Sequence, residues 1–249
     1  MSHTRLCQVW KFFRIANPDD PAARLKPGQV GYDAKFWFRP LYEALQERLV
    51  SSFVAGGFVV MDEYMQGSAH RVKYSRVIIG KPKSHGLLWY SMCSAREFLN
   101  SQGQVIKGAT LYIPLYFDLY MADEPWKRII GPRGGRGDPP VEWRGFGEGG
   151  CFLLSFLAVL IARGVIPKDT TIIGDRLFTT VKLLRRLKEL GLNYIGTAKR
   201  NCANLPTFRP QKPVRGTSMY RVVENIADLT TLVIGWWLDS TWVLMMTLG

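Results

Sequence analysis

The stretch TTIIGDRLFTTVKLLRRLKELGLNYIGTA, residues 170–198, constrains the fold more than any other part of the chain. A short apolar strand, TTIIGD, leads into an amphipathic basic helix, FTTVKLLRRLKEL, which Gly191 closes before a second strand at NYIGTA. A strand, a helix and a strand in that order form a crossover unit, whose strands lie parallel in one sheet with the helix packed against it. The same stretch places one carboxylate, Asp175, between the apolar strand and the basic helix.

The segments before it read differently. After Pro40 the pattern KFWFRPLYEALQERLVSSFV repeats apolar residues every three or four positions, which predicts a helix within Tyr32 to Val54 leading into the core. Gly56 and Gly57 break it, and FVVM (58–61) predicts a strand that ends in Asp62 and Glu63. GLLWYSMCS (86–94) and QVIKGATLYIPLYF (104–117), joined by NSQGQ, predict an antiparallel hairpin. Between Trp126 and Gly150 lie eight glycines and three prolines, the composition of a loop, and no GKS or GKT follows to make it a phosphate-cradling one. CFLLSFLAVLIA (151–162) is too short to span a membrane, which takes about 20 residues, so it is expected to be a buried helix. The fold class is therefore α/β: a three-strand antiparallel start, then helix, strand, helix, strand.

Charge adds a partner class. Thirty-three Lys and Arg against 20 Asp and Glu give +13, the balance of a protein that meets polyanions, nucleic acid first among them. Two tracts concentrate it. From Val181 to Arg215 nine basic residues, including Lys182, Arg185, Arg186, Lys199 and Arg200, face one acid, Glu189; from His70 to Lys83 five more, including Arg71 and Lys73, face none. Such tracts neutralise phosphates without reading sequence; a solvated helix face is the alternative for Lys182 to Lys188. The four cysteines fall in no CxxC spacing, so a structural zinc site is not expected. The N-terminus shows no charged-then-apolar leader, and the thiols are expected to be reduced, in an intracellular protein.

Asp62 and Asp175 each close an apolar strand, where open α/β sheets present ligand-binding groups. If the two strands are neighbours, two carboxylates meet, and a cation must compensate them. Mg²⁺ takes oxygen ligands of this kind with substrate phosphate completing its shell. The alternative for Asp175 is an N-cap for the following helix.

The motifs MDEYMQGSAHR (61–71), GDRLFTTVKLLRRLKELGLNYIGTAKRNCANLP (174–206) and KPVRGTSMYRV (212–222), in that order, resemble those of piggyBac-type DDE transposases. LTTLVIGWWLDSTWVLMMT (229–247) is similar to that family's W-x-D strand with its Ser-Thr continuation. The similarity runs over roughly residues 32–247. The resemblance implies an RNase H-like core at 55–200 with a Gly-rich loop at 118–150, a helical lead-in at 1–54, and an inserted, mostly β subdomain begun at 201–249. It implies Asp62 and Asp175 as the first and second catalytic carboxylates, holding two divalent metals, Mg²⁺ or Mn²⁺, about 4 Å apart for in-line phosphoryl displacement. It implies DNA as partner, with insertion at TTAA, a second copy of the chain as a further candidate partner, and a nuclear location.

The departures carry expectations of their own. The family's third catalytic Asp follows the subdomain in a segment resembling YN…GGVD…D, and none precedes Gly249. Asp228 and Asp239 are the later aspartates, and Asp239, aligned with the W-x-D strand, is expected to be an exposed strand-end acid. The Cys-rich tail is absent, and QGSAHR stands where family members usually have P-F-K-G-R. Without the core's last helix one sheet face would be left uncovered. The chain is expected not to transpose DNA alone, since removing part of a unit that acts together abolishes most of its rate. A domesticated or degenerate derivative that binds DNA without cutting is the alternative, and a phosphate-handling enzyme of another class is a third reading.

Overall fold

The crossover expected over residues 170–198 is present, and it lies in the middle of a large mixed sheet. The computed structural model describes residues 5, 15–26, 29–33, 35–68, 75–80, 82–102, 104–120, 145–199, 214–223, 232–238 and 242–248. In chain order these form α1 (Arg39–Ser52), β1 (Phe58–Gly67), β2 (Arg76–Val77), β3 (His85–Leu99), β4 (Val105–Leu119), α2 (Gly147–Ala162), β5 (Thr171–Gly174), α3 (Val181–Glu189), β6 (Asn193–Ala198), β7 (Ser218–Val223), β8 (Leu232–Leu238) and β9 (Trp242–Leu248). The strands make one sheet in the order β2-β3-β1-β5-β6-β9-β8-β7, with β4 also paired to β3. β1, β5 and β6 run parallel, and the others pair antiparallel.

One face of the sheet is dry. Val59, Met61, Tyr90, Met92, Ile172 and Tyr194 alternate onto it and are all at most 1% exposed. α2 covers it almost all round: Phe152 stacks on Tyr90 with ring centroids 4.1 Å apart, and Phe156 meets Tyr116 edge-on at 4.9 Å. A helix apolar on every side belongs in a core, which is why this one follows the sequence expectation. α3 adds Leu183, Leu184 and Leu187 to the same cluster and turns Lys182 and Arg185 to solvent. Gly191, at φ 73°, ends it in the left-handed conformation that glycine adopts without cost. The opposite face carries exposed apolar side chains, among them Phe58, Trp237, Tyr220 and Met245.

α1 and the residues just before it dock on β4 by polar contacts as well as the edge-on packing of Tyr42 on Phe117. Lys35 and Asp118, both buried, form an ion pair. The Tyr42 hydroxyl lies 2.6 Å from Asp118 Oδ1, and Gln46 Nε2 donates to the Phe117 carbonyl at 2.6 Å. Asp33 meets the Arg39 guanidinium with both oxygens, which holds that group's pKa well above its ordinary value.

Several boundaries correct the sequence reading. β1 does not stop at Met61; it continues to Gly67 because β3 pairs with it along that whole length, from Val59↔Ser94 to Gly67↔Gly86. The glycine-rich loop ends earlier than composition suggests, since Gly147 to Gly150 form the first turn of α2. There Gly149 and Gly150 sit against Leu177 and Phe146 so closely that a Cβ would stand 2.7 and 2.9 Å from them. Residues 121–144 of that loop lie outside the described residues. Pro114 is tolerated in β4 because the register shifts at Met92/Cys93, beside it. Strands β7 to β9 extend the same sheet through the β6–β9 pairing. No helix among the described residues is long and apolar enough to cross a membrane.

Candidate functional site

The parallel pairing of β1 with β5 ends at Met61↔Gly174. The next residues are Asp62, still inside β1, and Asp175, the first residue past β5, so each acid directly follows one member of the last β1–β5 pair. They arrive there differently. Asp62 is an exposed residue inside β1, at the point where β1 parts from β5 and, among the described residues, goes on beside β3 alone. Asp175 is half-buried and begins the turn between β5 and α3.

That turn is held by a short chain of hydrogen bonds. Asp175 Oδ1 accepts from the Leu177 amide at 2.7 Å, and its carbonyl accepts from the Phe178 amide at 3.1 Å and the Thr179 hydroxyl at 2.7 Å. Thr179 Oγ1 in turn lies 2.7 Å from the Tyr194 hydroxyl. Burial, above all, pushes the Tyr194 phenol well above its ordinary pKa, with Asp175 adding to the shift. The helix N-cap is Thr180, whose Oγ1 accepts from the Leu183 amide at 3.2 Å. Asp175 is therefore a turn residue and not the cap of α3, which removes the capping alternative.

Space for this arrangement comes from glycine. Gly174 and Gly196 are paired across β5 and β6, and a Cβ on either would stand 2.6 Å from the Tyr194 hydroxyl. The sequence reading passed over Tyr194, Thr179 and these glycines. Their signal was the G-D and I-G-T spacing at equal register in two successive strands, which is visible only once the strands are known to be neighbours.

Around Asp62, Ser91 is its direct partner on β3, and the half-buried Cys93 lies on the same side of the sheet two residues on. Burial first, and then the Asp62 charge, push the Cys93 thiol up. Each aspartate has one carboxylate oxygen engaged with a backbone amide: Asp62 Oδ1 accepts from Glu63 N at 2.8 Å, as Asp175 Oδ1 does from Leu177 N. Two carboxylates with oxygens to spare suit one hard cation that keeps water and takes a phosphate oxygen. Among the described residues no group of three or more His, Cys, Asp or Glu gathers to hold a metal.

The basic residues divide. Lys182 and Arg185 are exposed on α3, with the Lys182 ammonium 4.6 Å from the Phe146 ring centre. Arg186 is half-buried and bonds Glu189 at 2.6 Å, one turn along the helix. Lys199 is exposed just past β6. Arg71, Lys73 and Arg200, and the aspartates Asp228 and Asp239, lie outside the described residues.

Taken together, the fold is that of a mixed α/β sheet with two acids at the end of its central parallel strands. No family model matches the chain, and no curated protein matches it. Among solved structures it is similar to a piggyBac transposase, seen by cryo-electron microscopy as a synaptic complex with hairpin DNA, with a TM-score of 0.70 and 16% identity. The match covers 99% of this chain and 43% of that one, so the chain spans less than half the length of that transposase. The likeness is one of fold.

Proposed function

We propose that this chain is a transposase-derived DNA-binding protein of the piggyBac kind, with an RNase H-like core, whose Asp62 and Asp175 hold a divalent cation, Mg²⁺ or Mn²⁺, against a DNA phosphate. The observation that carries the reading is the β1–β5 register, whose last pair, Met61↔Gly174, immediately precedes two acids more than a hundred residues apart in sequence. The fold shared with a DNA-bound transposase supports it. When bound, the cation polarises a phosphoryl oxygen and stabilises the charge of an in-line displacement. The protein's part is to orient that ion through two carboxylates fixed by backbone amides, while exposed Lys182, Arg185 and Lys199 neutralise flanking phosphates. A nuclear site of action and TTAA-flanked transposon ends are the corresponding location and substrate.

Among the described residues no third acid, His or Cys joins Asp62 and Asp175, and a two-metal reaction calls for a fuller donor set, so we propose attachment to DNA without strand transfer by this chain alone. A domesticated or degenerate derivative that only binds is the second reading, favoured by that same shortage. The test is calorimetric titration of Mn²⁺ into the chain and its Asp62→Asn and Asp175→Asn variants, followed by binding and cleavage of a TTAA-flanked duplex across a salt series. Expected are Mn²⁺ binding that either substitution abolishes, DNA affinity that falls with salt, and no cutting. Each of Lys182→Ala and Arg185→Ala should lower the salt slope by about 0.9 if it meets one phosphate. Mn²⁺ affinity unchanged in both aspartate variants refutes the metal site, and cutting that Asp175→Asn abolishes refutes the non-catalytic part.

A further inference from the structure

On the face that carries Asp62, a row of aromatic rings crosses the sheet. Tyr64, two residues beyond Asp62 on β1, is the direct partner of Trp89 on β3, and their rings lie nearly parallel, 10° apart in plane with centroids at 6.3 Å. Trp89 packs on Phe117 of β4 at 5.9 Å, and Phe117 on Tyr42 of α1 at 5.4 Å. The inner rings of this ladder are anchored: Tyr42 is buried, and Trp89 Nε1 donates to Gln66 Oε1 at 3.1 Å. The outer end is open, for Tyr64 is 49% exposed. It stands where β1, having parted from β5 after Met61, is paired among the described residues with β3 alone.

A cross-strand aromatic pair by itself only stiffens a hairpin. This one is placed beside the acids: two residues of extended strand set Tyr64 about 7 Å from Asp62, within reach of the base belonging to a phosphate held there. A flat, half-exposed ring lying parallel to a second one is the kind of surface on which single-stranded DNA-binding proteins stack bases without regard to sequence.

We infer that Tyr64, backed by Trp89, is a stacking platform for an unpaired nucleobase of DNA whose phosphate lies at Asp62 and Asp175. The inference rests on the DNA-binding reading above and goes beyond it by naming an unpaired nucleotide as the preferred ligand. Any base serves, because every base offers a π-face.

The experiment compares binding of a blunt duplex with the same duplex carrying a short unpaired tail, in Mg²⁺ buffer, for the wild-type chain, Tyr64→Thr and Tyr64→Phe. Threonine keeps the strand propensity and removes the ring; phenylalanine keeps the ring. The wild type should prefer the tailed duplex by roughly 5- to 150-fold, the worth of one stacked base, with quenching of tryptophan fluorescence on the tailed DNA. Tyr64→Phe should retain that preference, and Tyr64→Thr should lose it while binding blunt duplex as the wild type does. Equal affinity of the wild type for both DNAs, or a preference that survives in Tyr64→Thr, overturns the platform and leaves the DNA-binding reading standing. No binding of either DNA overturns both.

Discussion

Substituting Gly174 by alanine tests whether the position of Asp175 depends on space reserved for a tyrosine on the next strand. The new methyl would lie 2.6 Å from the Tyr194 hydroxyl and 3.3 Å from Phe178 Cβ. Tyr194 cannot swing aside, because its ring is fully buried and its hydroxyl is held by Thr179. Overpacking of this kind costs about 1–3 kcal/mol, and loss of the Tyr194–Thr179 hydrogen bond adds about 1 kcal/mol, so Gly174→Ala should destabilise the chain by ~2–4 kcal/mol. At roughly 2–4 °C per kcal/mol for a chain of this size, the melting midpoint should fall by about 4–16 °C. Tyr194→Phe alone should cost about 1 kcal/mol, the worth of the bond. The double variant should cost less than the sum of the two, since the atom that Gly174→Ala collides with is then gone. Gly196→Ala should not be relieved in this way, because its methyl also meets the Gly174 carbonyl oxygen, a backbone atom, at 2.6 Å. Gly57→Ala, with no atom within 4 Å, should stay within about 0.5 kcal/mol of the wild type. Urea and thermal unfolding of the series measure all of this. A Gly174→Ala chain as stable as the wild type, or strictly additive costs with Tyr194→Phe, would refute the packing argument.

Two further predictions concern stability. Asp118→Ala leaves the Lys35 ammonium buried without its partner and should cost about 3–5 kcal/mol, whereas Lys35→Met with Asp118→Leu should cost far less; equal losses in urea unfolding would show that the pair is not desolvated. Tyr116 is pushed up to about 12, chiefly by burial, and Tyr42 and Tyr194 are raised as well. Phenols in the unfolded chain ionise near 10, so this stability is intact below about pH 10 and is lost as pH rises through about 12. Tyr116→Phe should shallow that decline, and a melting midpoint constant from about pH 9 to 12 would contradict it.

The local elements were legible because their signals are local. The all-apolar stretch at 151–162 has nowhere to go but a core, and the helix of 181–189 carries its leucines on one side and its cations on the other whatever surrounds it. The strand at 193–198 and the hairpin of β3 and β4 came through for the same reason, as did Gly191 at the end of α3. Asp62 and Asp175 could be picked out as acids beside apolar runs, but the pairing of β1 with β5 could only be conjectured.

What tertiary structure alone decided was how segments distant in the chain meet across the sheet. β1 runs past Asp62 because β3 offers it hydrogen-bond partners as far as Gly86, a fact that β1's own residues do not encode. Asp175 is left to shape a turn because Thr180 takes the helix cap, and local sequence allowed either. Gly147 to Gly150 are helical although glycine composition favours a loop, and at Gly149 and Gly150 a side chain would collide with Leu177 and Phe146. The pairing of Gly174 with Gly196, and of Tyr64 with Trp89, depends on register between distant segments, and register is set by the summed burial of whole strands rather than by any single residue. The sequence by itself determined which pieces exist and which carry charge. Their order in the sheet, fixed by long-range packing, decided which side chains became neighbours and therefore where chemistry could occur.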